Sequence, residues 1–111
     1  MSSERKEAIR AYKERTTRRG IYSVRCTTSG EVWVGAAPNL DSVQNKIWFM
    51  LRQGNHRNTR LQAAWNAHGE PAFQLQTEEE LDPDLPPLLV NDELKKRKAH
   101  WVAQLGAEAL L

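Results

Sequence analysis

Residues 20–35, reading GIYSVRC, TTSG and EVWVG, constrain the fold more than any other stretch. Two runs of β-branched and aromatic residues flank a polar turn that closes on glycine, the pattern of a β-hairpin. With a period of two, Tyr22, Val24 and Cys26 share one face of the first strand, while Ile21, Ser23 and Arg25 share the other. One face is expected to be buried and the other partly polar.

The rest of the chain supplies elements around this hairpin. Ser3 to Arg19 reads as a short basic helix with a narrow stripe of Ala8, Ile9 and Tyr12, set apart from a domain spanning 20–111. Pro38 and Asn39 act as stop and cap before a helix from about Asp41 to Gln53, whose stripe is Val43, Ile47, Met50 and Leu51 and whose end is Gly54. Another helix is predicted from about Arg57 to His68, with Gly69 as its stop, then a third strand in AFQLQ. The acidic, proline-bearing TEEELDPDLPPLLV reads as a connection. Asn91 then caps a last helix with Leu94, Trp101, Val102 and Leu105 inward. The order predicts a small α+β domain with a mainly antiparallel three-stranded sheet flanked by helices.

At 111 residues the chain is one compact domain that folds without disulfides or a structural metal. Cys26, its one cysteine, is read as an inert buried thiol, and it excludes an internal disulfide or a multi-cysteine zinc site. No apolar run approaches the roughly 20 residues of a membrane span, and the charged start lacks the apolar core of a signal peptide. A cytoplasmic protein is expected. Trp65 and Trp101 are expected in the core, whereas Trp48 falls beside an already filled stripe and reads as an exposed stacking or partner-contact residue. His68 and His100 have no metal-ligating partner at useful spacing.

The net charge of +2 conceals an asymmetry. Residues 1–25 carry +5 and residues 70–111 carry −5. Such a division places positive potential on one side, as contact with phosphates requires, although solvated helix faces produce the same pattern.

Gly20-Ile21-Tyr22, then ten residues, then Trp33-Val34-Gly35 resembles the paired signature of the GIY-YIG nuclease superfamily. The resemblance continues through Asn39-Leu40, the run GNHRNTRLQAAWNAHGEPAF and the aromatic-valine pair Trp101-Val102, and it covers about residues 20–105. The similar elements GIY, VG, NL, HRN and LQ also occur in a subgroup found alone or joined to LuxR-type transcriptional regulators. There a basic residue follows asparagine in the first helix after the hairpin, as in Asn45-Lys46. The resemblance implies metal-dependent cleavage of DNA phosphodiesters. It assigns Tyr22 to activation of the attacking water, Trp33 to the place of the second signature tyrosine, and His56 to the neighbourhood of the scissile phosphate.

Two further positions in that scheme carry the wrong chemistry here. The arginine that stabilises phosphate charge falls on Val43, with Lys46 the nearest cation, and the glutamate that holds the metal falls on Lys98. Lysine supplies charge without arginine's planar fork. Glu93 stands five residues before Lys98, about 140° around a helix axis, and is a weak metal candidate. Trp33 has an N–H but no exchangeable hydroxyl proton.

The chain therefore reads first as a nucleic-acid-binding domain with a degenerate nuclease site. Its site is formed by Tyr22, Trp33, Lys46 and His56, with Arg25, Arg52, Arg57, Asn58 and Arg60 contacting DNA or another nucleic acid and no cofactor expected. Two alternatives stay open: an active endonuclease dependent on Mg²⁺ or Mn²⁺, and a protein-interaction or ligand-sensing module that retains the fold, with a protein partner or self-association.

Overall fold

The computed structural model describes residues 18–110. The expected helix over Ser3–Arg19 falls outside them except for Arg18 and Arg19, which are not helical. Their carbonyls accept hydrogen bonds from Leu40 N (2.6 Å) and Leu81 N (2.7 Å), and the Arg18 guanidinium pairs with Asp41 and Glu80.

The hairpin consists of β1 (Gly20–Cys26) and β2 (Val32–Ala37), antiparallel with Tyr22 opposite Gly35. Helix α1 (Leu40–Gln53) begins where the Asn39 side chain accepts from Asp41 N and ends at Gly54, whose φ of 75° suits a residue without a β-carbon. Helix α2 (Thr59–His68) is capped by Asn58, two residues later than the sequence pattern placed its start. A 3₁₀ turn (Glu70–Ala72) leads into β3 (Phe73–Glu80), and α3 (Pro87–Leu105) follows. β3 runs four residues beyond AFQLQ, through Thr77 and glutamates that the sequence pattern assigned to a connection. α3 starts at Pro87 rather than after Asn91, because proline at the first helical position lacks only an N–H that has no helical partner there.

Among the described residues the sheet has four strands, not three. β4 (Glu108–Ala109) adds parallel to β2, giving the order β3-β1-β2-β4. Two residues between Gly106 and Leu110 offer no alternation to read, so the strand has no sequence signature.

Both faces of the sheet are covered. Tyr22, Val24, Cys26 and Trp33 pack beneath α1 and α2, together with Leu51, Leu61, Trp65 and Phe73. Trp65 stands edge-on to Trp48 (ring centroids 5.4 Å apart) and tilted against Phe73 (5.3 Å). Trp48 is thus a core residue, 6% exposed, and the exposed aromatic of α1 is Phe49. Ile21 and Val34 face α3 and meet Val90 and Leu94, with Trp101 half-buried alongside and its indole donating to Glu79 (2.9 Å). The face expected to be partly polar thus forms a second core, in which Ser23 is buried and donates to Glu78 (2.6 Å). Among the described residues no helix is long and apolar enough to cross a membrane.

Candidate functional site

A cavity of about 380 Å³ opens on the Tyr22 side of the sheet, walled by the ends of β1 and β2, by α1, by the turn before α2 and by Leu110. Tyr22, Val43, Lys46, His56 and Arg57 all line it. Each arrives from a separately fixed element. Tyr22 sits on the central strand, α1 brings Val43 and Lys46 one turn apart, and the Gly54 cap turns the chain so that His56 and Arg57 precede α2.

The charged groups on this wall are the cations Lys46 and Arg57, and among the described residues no Asp or Glu lines the cavity. Burial raises the Tyr22 phenol to about 12, so at neutral pH it is protonated and offers an O–H. Burial lowers His56, which keeps its imidazole neutral. His56 Nδ1 accepts from Asn58 N (3.0 Å), and its backbone N–H donates to Gln62 Oε1 (3.1 Å). Lys46 and Arg57 are exposed at the rim.

The remaining sequence-predicted residues lie elsewhere. Arg52 makes a two-pronged pair with Glu70 (2.9 and 2.8 Å) and Arg60 pairs with Glu108 (2.8 Å). Arg25 is exposed on the α3 side of β1. The Asn58 side chain caps α2 through Leu61 N and donates to Leu110 O (2.8 Å), tying β4 to the turn. Trp33 is fully buried in the core, and its Nε1 has no hydrogen-bond partner among the described residues.

Three contributors were not singled out from sequence. Gln62, nearly buried, links His56 N to Leu51 O and to Asn66. Leu110, 2% exposed, closes one side of the cavity while its N–H donates to Val34 O (2.8 Å). Gly35 lies beneath the Tyr22 ring, where any β-carbon would collide with it. The GIY and VG motifs carried the Gly35 signal, and the Leu-Gln pair carried that of Gln62. Nothing in the sequence marked Leu110.

No family model matches the chain. It is 26% identical over 89 residues, 80% of its length, to the intron-associated endonuclease 1 of Enterobacteria phage T4, and it spans 34% of that protein's length. The catalytic domain of the intron endonuclease I-TevI, solved as a mutant, matches with a TM-score of 0.70 at 26% identity, covering 81% of this chain and 86% of that one. A second structure of the I-TevI catalytic domain shares the fold, with a TM-score of 0.70 at 23% identity over 85% of this chain and 99% of that one. These likenesses support the GIY-YIG superfamily.

In the two stretches that resemble the GIY-YIG signature, the first contributes Tyr22 and the second contributes Gly35 directly opposite. The divalent ion implied by a GIY-YIG nuclease does not fit the residues present. Hard cations such as Mg²⁺ take carboxylate and other oxygen ligands. Glu93 and the half-buried Lys98 both belong to α3, which packs on the far face of the sheet from the cavity. Among the described residues no cluster of three His, Cys, Asp or Glu is placed to hold a metal.

Proposed function

We propose that this chain is a GIY-YIG-fold nucleic-acid-binding domain that grips a backbone phosphate in the Tyr22 cavity and whose nuclease set is degenerate. One observation carries the reading: Tyr22, Lys46, His56 and Arg57 converge on a cavity with no acid among its lining residues. Lys46 and Arg57 supply the charge that draws phosphate in. The Tyr22 hydroxyl and the His56 imidazole supply directional hydrogen bonds from within a partly dry wall, where they are stronger than in water. Val43 puts an apolar side chain where the resemblance asks for arginine, so the site loses a bidentate grip and retains the point charge of Lys46. The Asn45-Lys46 pair also supports the subgroup found alone or joined to LuxR-type regulators.

Binding of this kind is weak, largely independent of base sequence and steeply salt-dependent, because each neutralised phosphate releases counterions. Fluorescence anisotropy with labelled duplex and single-stranded DNA across a salt series tests it. A falling affinity with rising salt is expected, and an affinity flat in salt would refute the reading.

The similarity to T4 intron-associated endonuclease 1 favours a second reading, an active endonuclease. Incubation with supercoiled DNA in Mg²⁺ or Mn²⁺ separates the two. Nicking that disappears in Tyr22→Phe supports the enzyme, whereas a salt-sensitive gel shift without nicking supports the binding domain.

A further inference from the structure

His56 is held by a set of bonds that decides which of its nitrogens carries the proton. A backbone N–H can only donate, so the bond from Asn58 N to His56 Nδ1 at 3.0 Å requires a lone pair on Nδ1. In a neutral ring the single proton then sits on Nε2. That nitrogen makes no protein hydrogen bond among the described residues, while the side chain lines the cavity. A second proton would go to Nδ1, against the N–H of Asn58. Among the charged and titratable groups lining the cavity none is an anion that would favour it: Lys46 on α1 and Arg57 in the turn are cations, and Tyr22 on β1 is a neutral phenol.

The backbone around the ring is fixed too. The N–H of His56 donates to Gln62 Oε1 at 3.1 Å, and the amide of Gln62 donates onward to Leu51 O at 3.0 Å and Asn66 Oδ1 at 3.1 Å. One side chain thereby joins the end of α1, the turn and α2. The ring cannot rotate without losing the Asn58 bond, and the backbone that carries it cannot shift without breaking the Gln62 bond.

We infer that His56 serves this cavity as a neutral hydrogen-bond donor through Nε2–H, with the Asn58 backbone setting its tautomer and Gln62 acting as the positioning residue. The inference rests on the phosphate-binding reading and gives it a specific content: the imidazole donates to a phosphate oxygen and does not accept a proton from water. Acidification is not expected to raise DNA affinity through His56, because a second proton on Nδ1 would face the Asn58 N–H and break that bond.

Two measurements on the whole chain test this. Long-range ¹⁵N–¹H NMR of the DNA-free protein at neutral pH should show His56 as the Nε2–H tautomer. An Nδ1–H tautomer or an imidazolium there would overturn the inference. Anisotropy with a labelled DNA duplex should show His56→Ala weakening binding about tenfold, the scale of a hydrogen bond to a charged group, and His56→Gln restoring most of it, since its amide can place an N–H near Nε2. If the wild type binds DNA and His56→Ala binds equally well, the inference falls and the phosphate-binding reading stands. If the folded wild type binds no DNA at low salt, the reading fails and the inference with it. Should His56→Ala not fold, the tautomer measurement and His56→Gln decide the matter.

Discussion

The ring of Tyr22 lies directly over Gly35, its cross-strand partner, so that a β-carbon at position 35 would occupy the space of the phenol oxygen and its ring carbons. The glycine therefore places the tyrosine. In the middle of a strand glycine is otherwise unfavourable, and here close approach accounts for it. Gly35→Ala is expected to push the phenol off its seat, with an overpacking cost of about 1–3 kcal/mol in urea unfolding. DNA binding should weaken as well, and a variant matching wild type in both would show that the ring moves aside without consequence.

Two buried groups make stability depend on pH. Burial lowers His56 from its ordinary 6.5, so the unfolded chain takes up this proton more readily. Its contribution is complete above pH 6.5 and lost as pH falls toward the lowered folded value. Tyr22 acts in the other direction. Its pKa rises from 10.0 to about 12, so stability is complete below pH 10.0 and declines as pH climbs to about 12. A two-unit shift corresponds to about 2–3 kcal/mol. Urea midpoints across pH should show both limbs, with the alkaline one reduced in Tyr22→Phe and the acid one reduced in His56→Gln.

Lys46, Arg57, Arg52 and Arg60 should separate into two classes, the first two lining the cavity and the last two outside it. Lys46→Ala and Arg57→Ala should each weaken DNA binding and reduce the slope of log affinity against log salt by about 1. Arg52 and Arg60, already paired with Glu70 and Glu108, should change that slope little when replaced by alanine. Equal effects at all four positions would mean that the ion pairs open when DNA arrives.

Trp65 joins two neighbouring aromatics, Trp48 and Phe73, beneath the sheet. Trp65→Ala leaves a cavity and should cost about 3–5 kcal/mol. A loss under 1 kcal/mol in chemical denaturation would mean that the cluster collapses around the gap.

The sequence carried local signals well and distant pairings poorly. Asn39, Gly54 and Gly69 announce helix ends because caps act over one to four residues, whereas Asn58 was read as a nucleic-acid contact and turns out to cap α2. Trp48 misled because a stripe of 3.6-residue period describes one buried face, whereas α1 is also flanked by α2 and buries Leu40 and Trp48 besides Val43, Ile47 and Leu51. In the site, the motifs drew attention to Tyr22, Lys46 and His56, and the fold puts them on one wall. Arg52 and Arg60 look identical to Arg57 as letters. Only the folded chain reveals Glu70 beside one and Glu108 beside the other, the second pair 48 residues apart.

Leu110 closes the cavity, yet it meets Val34 and Asn58 across long stretches of chain. During synthesis the hairpin, both its covering helices and every polar group of the site leave the ribosome before that last wall exists. Closing so long a loop carries an entropic cost that no local contact offsets beforehand. Until Leu110 has emerged, a nascent chain thus presents an open trough in place of a cavity, and competence to hold a ligand waits on a residue far along the chain from the groups that would touch it.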